Sequence, residues 1–510
     1  MSKATSLSLF RLITSMSKAE KRHFKLSVRQ SRNETKMNYM RLFDAIEKQK
    51  KYNEERIIRL SIVKRDHLPM LKNYLHNLIL ENMQMLRNRA DDIDTKLLRM
   101  LQHARTMQSK GISDGELKFL TKAKDLSLKY ERWIIALEAL QQIRKLMTRE
   151  EKSVTVVDQE ISLALNKFSN LHDYLKIQNN VNDHLKKSEM QRGSRKKALK
   201  KLMAHPLFRD ERKQLSAEAK RMHYLTLNQY YYFIGDYKTF YWLSLKNVRF
   251  VEDSLATLEF PESAYSSALN NLTIAQCILK KYPDALATIS KHRSVIKKDA
   301  KAMTHAFMCS TINETNYYLT TGHFEKGVAS IENLEKELKK FQPEIPYTQQ
   351  VSLYFNAAYL CFSVNDFHNA LKWINKIINP SPSDFREDLQ VWAHILRILI
   401  HYELRTPGIL PHLIVTTYRF LLKRKQLHKV EKSILLFIRR VGKTRKRPQH
   451  KELVTEFRKF RDELIQITKD PREKKALHYF DLVSWLESKL EKRAFAAIVK
   501  EKTLPAIKSR

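Results

Sequence analysis

A chain of 510 residues is too long for one compact core, which leaves several domains or a repeat array. A hydrophobic content of 43% excludes wholesale disorder, while only 8 glycines, and no G-x-G, argue against phosphate-cradling loops and parallel sheets. The 94 Lys and Arg against 55 Asp and Glu leave a formal charge of +39, which bears on partners and solubility and not on fold.

The first 22 residues carry no long apolar run, because Arg11 interrupts "LSLF" and "LITSM", so no signal peptide is read. Ser17 and Glu20 form a capping box that opens a helix. Apolar 3-4 periodicity then continues through "YMRLFDAIEKQ" and "HLPMLKNYLHNLILENMQML", so 1–95 reads as a small helical domain. "DDID" at 91–94 lacks the Gly and closing Glu of a calcium loop and suits a helix start. From residue 154 a long helix spaces Val157, Ile161, Ala164, Phe168, Leu171 and Leu175 as a short coiled-coil seam. A seam of that length fits a long antiparallel hairpin better than a dimer.

An aromatic followed three residues later by a small residue recurs after apolar helices. Trp133 and Ala136, Tyr282 and Ala285, Phe324 and Gly327, and Phe367 and Ala370 fit it, and Tyr237 is followed by Phe240. Positions 240, 285, 327 and 370 are spaced by 45, 42 and 43 residues, a helical-hairpin period. A lone hairpin cannot bury its apolar face, so neighbours must stack. In 353–382, Tyr354, Ala357, Ala358, Cys361, Phe367, Ala370, Ile374, Ile377 and Pro382 make a pattern that resembles the tetratricopeptide repeat family. Thr273 and Thr315 replace the small residue of the first helix, Asn228 does so earlier, and the period exceeds that family's ~34 residues, so the repeats are degenerate. The overall layout also resembles a set of uncharacterised bacterial helical-repeat proteins, which implies no activity.

The resemblance implies that first helices line a concave groove. Carried onto this sequence, that face holds Gln229, Tyr232, Phe233, Asn270, Cys277, Ile278, Asn316, Leu319, Phe355, Tyr359 and Phe362. Amides can hold a peptide backbone and aromatics can take side chains. The alternative role for each is packing between hairpins. The groove lacks the Lys/Asn set with which some relatives clamp a terminal carboxylate.

Charge concentrates in two segments. Residues 186–221 carry thirteen Lys and Arg against four acids, including Arg195, Lys196, Lys197, Lys200 and Lys201. Residues 418–461 carry sixteen against three, including Lys423, Arg424, Lys425, Arg439, Arg440, Lys443, Arg445, Lys446 and Arg447. Such patches either grip a polyanion or are simply solvated helix faces and loop. Tyr418, Phe420 and Phe437 fall at helical core spacing, not as base-stacking platforms.

No catalytic or metal motif emerges. "VGKT" at 441–444 has Phe437 where a phosphate loop needs Gly, and "KSILLFIRR" before it reads as amphipathic helix, not strand. The 18 histidines form no H-E-x-x-H, and His394 and His401 read as structural. Cys277, Cys309 and Cys361 are far apart and odd in number, so no disulfide framework or metal spacing arises and a reducing compartment is favoured. The longest apolar helix, 391–404, carries His394, Arg397 and His401, so membrane insertion is not expected.

The expectation is an all-α protein: 1–95 a helical N-terminal domain, 96–222 helical hairpins including a long helix, 223–405 a degenerate tetratricopeptide-like α-α hairpin solenoid, and 406–510 a basic helical region. The expected function is a non-catalytic cytoplasmic scaffold, without cofactor or metal, for a protein or peptide segment, an acidic one favoured by the charge. Nucleic-acid backbone binding through the basic patches is the alternative. The two separate by salt: polyanion affinity falls steeply with ionic strength and ignores Tyr359→Ala, whereas groove binding shows the reverse in a titration series.

Overall fold

The computed structural model describes residues 3–29, 34–49, 51–59, 65–87, 92–186, 192–297, 299–341, 345, 347–378, 386–424, 426–442 and 451–503. Among them the protein is all-α. It divides into two compact units, 1–169 and 170–510.

In the first unit α1 (Lys3–Ser15), α2 (Lys18–Arg29), α3 (Glu34–Glu47), α4 (Glu54–Arg59) and α5 (Leu68–Arg87) close on Leu9, Ile13, Phe24, Phe43, Ile46 and Leu75. The capping box opens α2: Ser17 Oγ accepts from the Glu20 amide at 3.2 Å, and Glu20 Oε2 from the Ser17 amide at 2.7 Å. α6 (Ile93–Ser109), α7 (Ser113–Lys129) and α8 (Trp133–Arg149) pack as successive antiparallel neighbours. Asp92 caps α6 by accepting from the Thr95 amide at 2.9 Å, the helix start read from "DDID", whose Asp91 lies outside the described residues. α9 (Thr155–Lys186) runs across the division between the units. Of its seam, Val157 and Ala164 are buried, but Phe168 and Leu175 stay exposed.

The second unit contains α10 (Arg192–Met203), α11 (Ala217–Ile234), α12 (Tyr237–Ser254), α13 (Pro261–Ile278) and α14 (Tyr282–Val295). Next come α15 (Ala300–Thr321), α16 (Phe324–Ile331), α17 (Leu334–Phe341), α18 (Tyr347–Ser363) and α19 (Phe367–Ile378). The chain ends with α20 (Glu387–Glu403), α21 (Leu410–Lys423), α22 (Lys429–Val441), α23 (Lys451–Ile467), α24 (Pro471–Lys474), α25 (Leu482–Glu491) and α26 (Phe495–Thr503). α11 pairs with α12, α13 with α14 and α18 with α19 as hairpins, and first helices also touch: α13 on α15, α15 on α18, α18 on α20.

The recurring aromatic marks one recurring turn. The residue two before it is left-handed in every case: Glu131, Gly235, Lys280, Gly322 and Asn365. The next amide then closes back five residues, Arg132 to Ser127 O, Asp236 to Tyr231 O, Lys281 to Gln276 O, His323 to Tyr318 O and Asp366 to Cys361 O. This is the 6→1 bond of a Schellman ending, and the aromatic starts the next helix. Ala136, Phe240, Ala285 and Ala370 are buried where hairpin helices meet. At Gly327 a Cβ would lie 2.5 Å from Leu360 Cδ2, so any larger residue there would push the Leu360 side chain aside. Thr273 and Thr315 fit in place of small residues because their hydroxyls bond carbonyls of their own helix, Leu269 O and Thr311 O, each at 2.8 Å.

The last helices return on the array. α23 packs on α22 and α25, and α26 packs on α25 and α15. Phe480 and Trp485 are 1% exposed, in one continuous core with Tyr359, Phe362 and Trp392. α22 ends at Val441, so the "VGKT" stretch follows a helix and not a strand. No described helix is long and apolar enough to cross a membrane. Phe480→Ala should cost about 3–5 kcal/mol by denaturant unfolding, as for other fully buried rings; a loss under ~1 kcal/mol would show that the return is loosely held.

Candidate functional site

The residues read as one groove divide into two groups. Phe355, Tyr359 and Phe362 do not form open surface: they are 3%, 7% and 2% exposed. The Phe480 ring lies 4.7 Å from Tyr359 and 5.2 Å edge-on to Phe362, and the Tyr359 hydroxyl accepts from the Asp481 amide at 2.9 Å. Burial and Asp481 push the Tyr359 phenol far above its ordinary range. The chain's own C-terminal helices therefore occupy that end, and Tyr359→Ala probes the core instead of a ligand surface. Further contacts fix the cover: Trp485 Nε1 donates to Glu403 at 2.7 Å, and Tyr479 stacks on Trp392 at 5.7 Å. Leu319 is half-buried against the same core, and Phe233 packs on Ile177, Val181 and Leu199. Both serve packing.

The second group stays accessible. Asn316 is exposed, Tyr232 is 50% exposed, and Gln229, Asn270, Cys277 and Ile278 are half-buried. Their amides are linked from helix to helix. Gln229 Oε1 accepts from Gln178 Nε2, Asn270 Oδ1 from Asn313 Nδ2, and Asn316 Oδ1 from Asn356 Nδ2, each at 2.9 Å. The carbonyls are thus anchored, whereas the amino groups of Gln229, Asn270 and Asn316 donate to nothing among the described residues. An anchored primary amide with a spare N–H is a pre-positioned donor for a carbonyl oxygen. Tyr232 packs on Phe240 at 5.5 Å and offers an aromatic edge beside them.

The basic patches are only partly free. Lys197, Lys200, Lys201, Lys423 and Arg439 are exposed and form no ion pair among the described residues. Arg440 pairs with Glu456 at 3.0 Å, and Arg424 donates to Gln390 at 3.0 Å while lying 4.6 Å over Phe420. Arg195 and Lys196 belong to α10, but their side chains, with Lys425, Lys443, Arg445, Lys446 and Arg447, lie outside the described residues. Phe437 is buried against Phe457 and Phe460, Phe420 is half-buried, and Tyr418 is 41% exposed.

Two features escaped the sequence. A cavity of about 620 Å³ opens in the first unit, lined by Leu12, Leu80, Met83, Leu98 and Leu101 with Arg99 at its edge. In the second unit Ser266 Oγ lies 2.7 Å from His292 Nε2 and 2.7 Å from His305 Nδ1, and Cys309 Sγ is 3.4 Å from His305 Nε2. The chain looks like a nucleophile relay, but burial pushes the Cys309 thiol up to about 12 and holds His305 low. Burial first, then His305 and Arg293, hold His292 down to about 4, so thiol and imidazoles alike are neutral at pH 7. That is core hydrogen bonding, not an activated thiol. No group of three or more His, Cys, Asp or Glu that could hold a metal occurs among the described residues.

The chain matches no family model, no curated protein and no solved structure.

The buried histidines set a pH response. Their folded pKa lies below the unfolded value of about 6.5, so the unfolded chain binds the proton first. Their stabilising effect is complete above that value and falls as pH drops towards about 4, where His292 titrates in the folded state. Denaturant unfolding should show a loss of up to ~1.4 kcal/mol per pH unit per histidine across this window, and His292→Asn should flatten the slope. An unchanged slope in that variant would remove His292 from the explanation.

Proposed function

We propose that 217–378 is a degenerate tetratricopeptide-like array and that the protein is a non-catalytic scaffold holding an extended peptide segment along α11, α13 and α15. One observation carries this reading: the row of anchored amides at Gln229, Asn270 and Asn316, with unpartnered amino groups on successive first helices. A β- or polyproline-like peptide presents carbonyls at intervals, and amides fixed by their oxygen can donate to one without losing further side-chain freedom. The exposed Tyr232 supplies apolar area beside them. Net charge of +39 speeds capture of an acidic segment without setting the contact geometry.

The unpaired lysines of α10, Lys197, Lys200 and Lys201, favour nucleic-acid backbone as the second reading. Affinity capture of the tagged chain from lysate, with and without nuclease, separates the two. The peptide reading expects a defined protein partner that survives nuclease and binds about tenfold or more weakly to Asn270→Ala/Asn316→Ala, at roughly 1 kcal/mol per lost bond. Recovery abolished by nuclease and unaffected by that double variant overturns it.

A further inference from the structure

α20 carries Gln390, His394, Arg397 and His401 at spacings of four, three and four, one face of the helix. α21 runs antiparallel against it: Arg424 Nη1 reaches Gln390 at 3.0 Å, and the Phe420 ring lies 4.3 Å from the His394 ring. That register puts Thr417, one turn earlier on α21, opposite Arg397. The face is short of partners. His394 Nδ1, Arg397 Nε and Thr417 Oγ1 are all buried with no hydrogen bond. Arg397 makes no ion pair among the described residues, and its terminal nitrogens are not among the buried unpaired atoms, so the guanidinium tip reaches the surface.

The charge here is one-sided. Glu387 comes within 3.7 Å of Arg424, but no carboxylate pairs with Arg397. Glu403, six residues beyond Arg397, is already committed to Lys489 at 2.6 Å and to Trp485. His401 Nδ1 is held by Thr406 Oγ1 at 3.0 Å, which leaves Nε2 to face the other way. The buried Nε of Arg397, the His394 Nδ1 and the Thr417 hydroxyl, all left without hydrogen bonds beside an arginine with no counter-ion, are costly unless an anion completes them.

We propose that this face is a binding site for an oxyanion of the phosphate class. Arg397 grips two of its oxygens through the guanidinium fork, Thr417 donates its hydroxyl, and His394 donates a ring N–H from the same face of α20. Phe420, layered between His394 and Arg424, holds the wall of the site in place. The site lies apart from the amide row and is independent of the peptide reading.

The test is calorimetric titration of the full chain with inorganic phosphate and, separately, with phosphoserine, against chloride at matched ionic strength. Saturable phosphate binding is expected, weakened tenfold or more in Arg397→Gln and in Thr417→Val, and unchanged in Arg439→Gln, which removes an exposed unpaired charge elsewhere. Proton NMR of the histidine rings supplies a second readout, with His394 shifting as phosphate is added. Tighter binding of phosphoserine than of phosphate assigns the site to an ester, and the reverse assigns it to the free ion. No saturation above chloride by either probe, or equal losses in Arg397→Gln and Arg439→Gln, overturns the proposal.

Discussion

The packing of Phe480 onto Tyr359 and Phe362 decides what the rest of the second unit can be. It joins residues 122 positions apart through the Asp481 amide and the Tyr359 hydroxyl, and it buries three rings that would otherwise line an open channel. Each ring removed from water contributes roughly 2–3 kcal/mol, so the return of the chain is part of the core and not a loosely docked tail. With that end filled, the expected groove residues that stay accessible lie on α11, α13 and α15: Gln229, Tyr232, Asn270, Cys277, Ile278 and Asn316.

α13, α15 and α18 meet through polar bonds as well as apolar contact. Asn313 with Asn270, and Asn356 with Asn316, tie neighbouring first helices at fixed spacing, so the same side chains set the stacking and present donors outward. The proposed oxyanion face of α20 follows another logic: it places polar groups of His394, Arg397 and Thr417 where the fold gives them no hydrogen bonds.

The turns were the most legible part of the sequence, because a left-handed residue and a helix-starting aromatic depend on local geometry alone. Gly235, Gly322 and Asn365 are residue types that tolerate that conformation, whereas Glu131 and Lys280 adopt it without advertising it. The capping box of Ser17 and Glu20 was equally local. The cover over Tyr359 was not legible, since nothing near residue 359 encodes the arrival of residue 480. Helical spacing placed Phe355 and Phe362 on a face but could not say what meets it. The amides were read as groove residues, yet their pairing partners, Asn313 and Asn356, emerge only when helices some forty residues apart are side by side. Likewise His394 and His401 read as ordinary core histidines, and only the packing of α21 reveals that His394 Nδ1 is left without a partner.

Hydrogen exchange of the full chain, with and without a peptide selected from a display library, tests the central claim most directly. Peptide binding along the amide row should add protection along α11, α13 and α15 around Gln229, Asn270 and Asn316, with the segment around Phe480 equally protected in both states. Protection gained on α18 together with faster exchange at 480–503 would mean that the ligand displaces the C-terminal helices, and would contradict that claim.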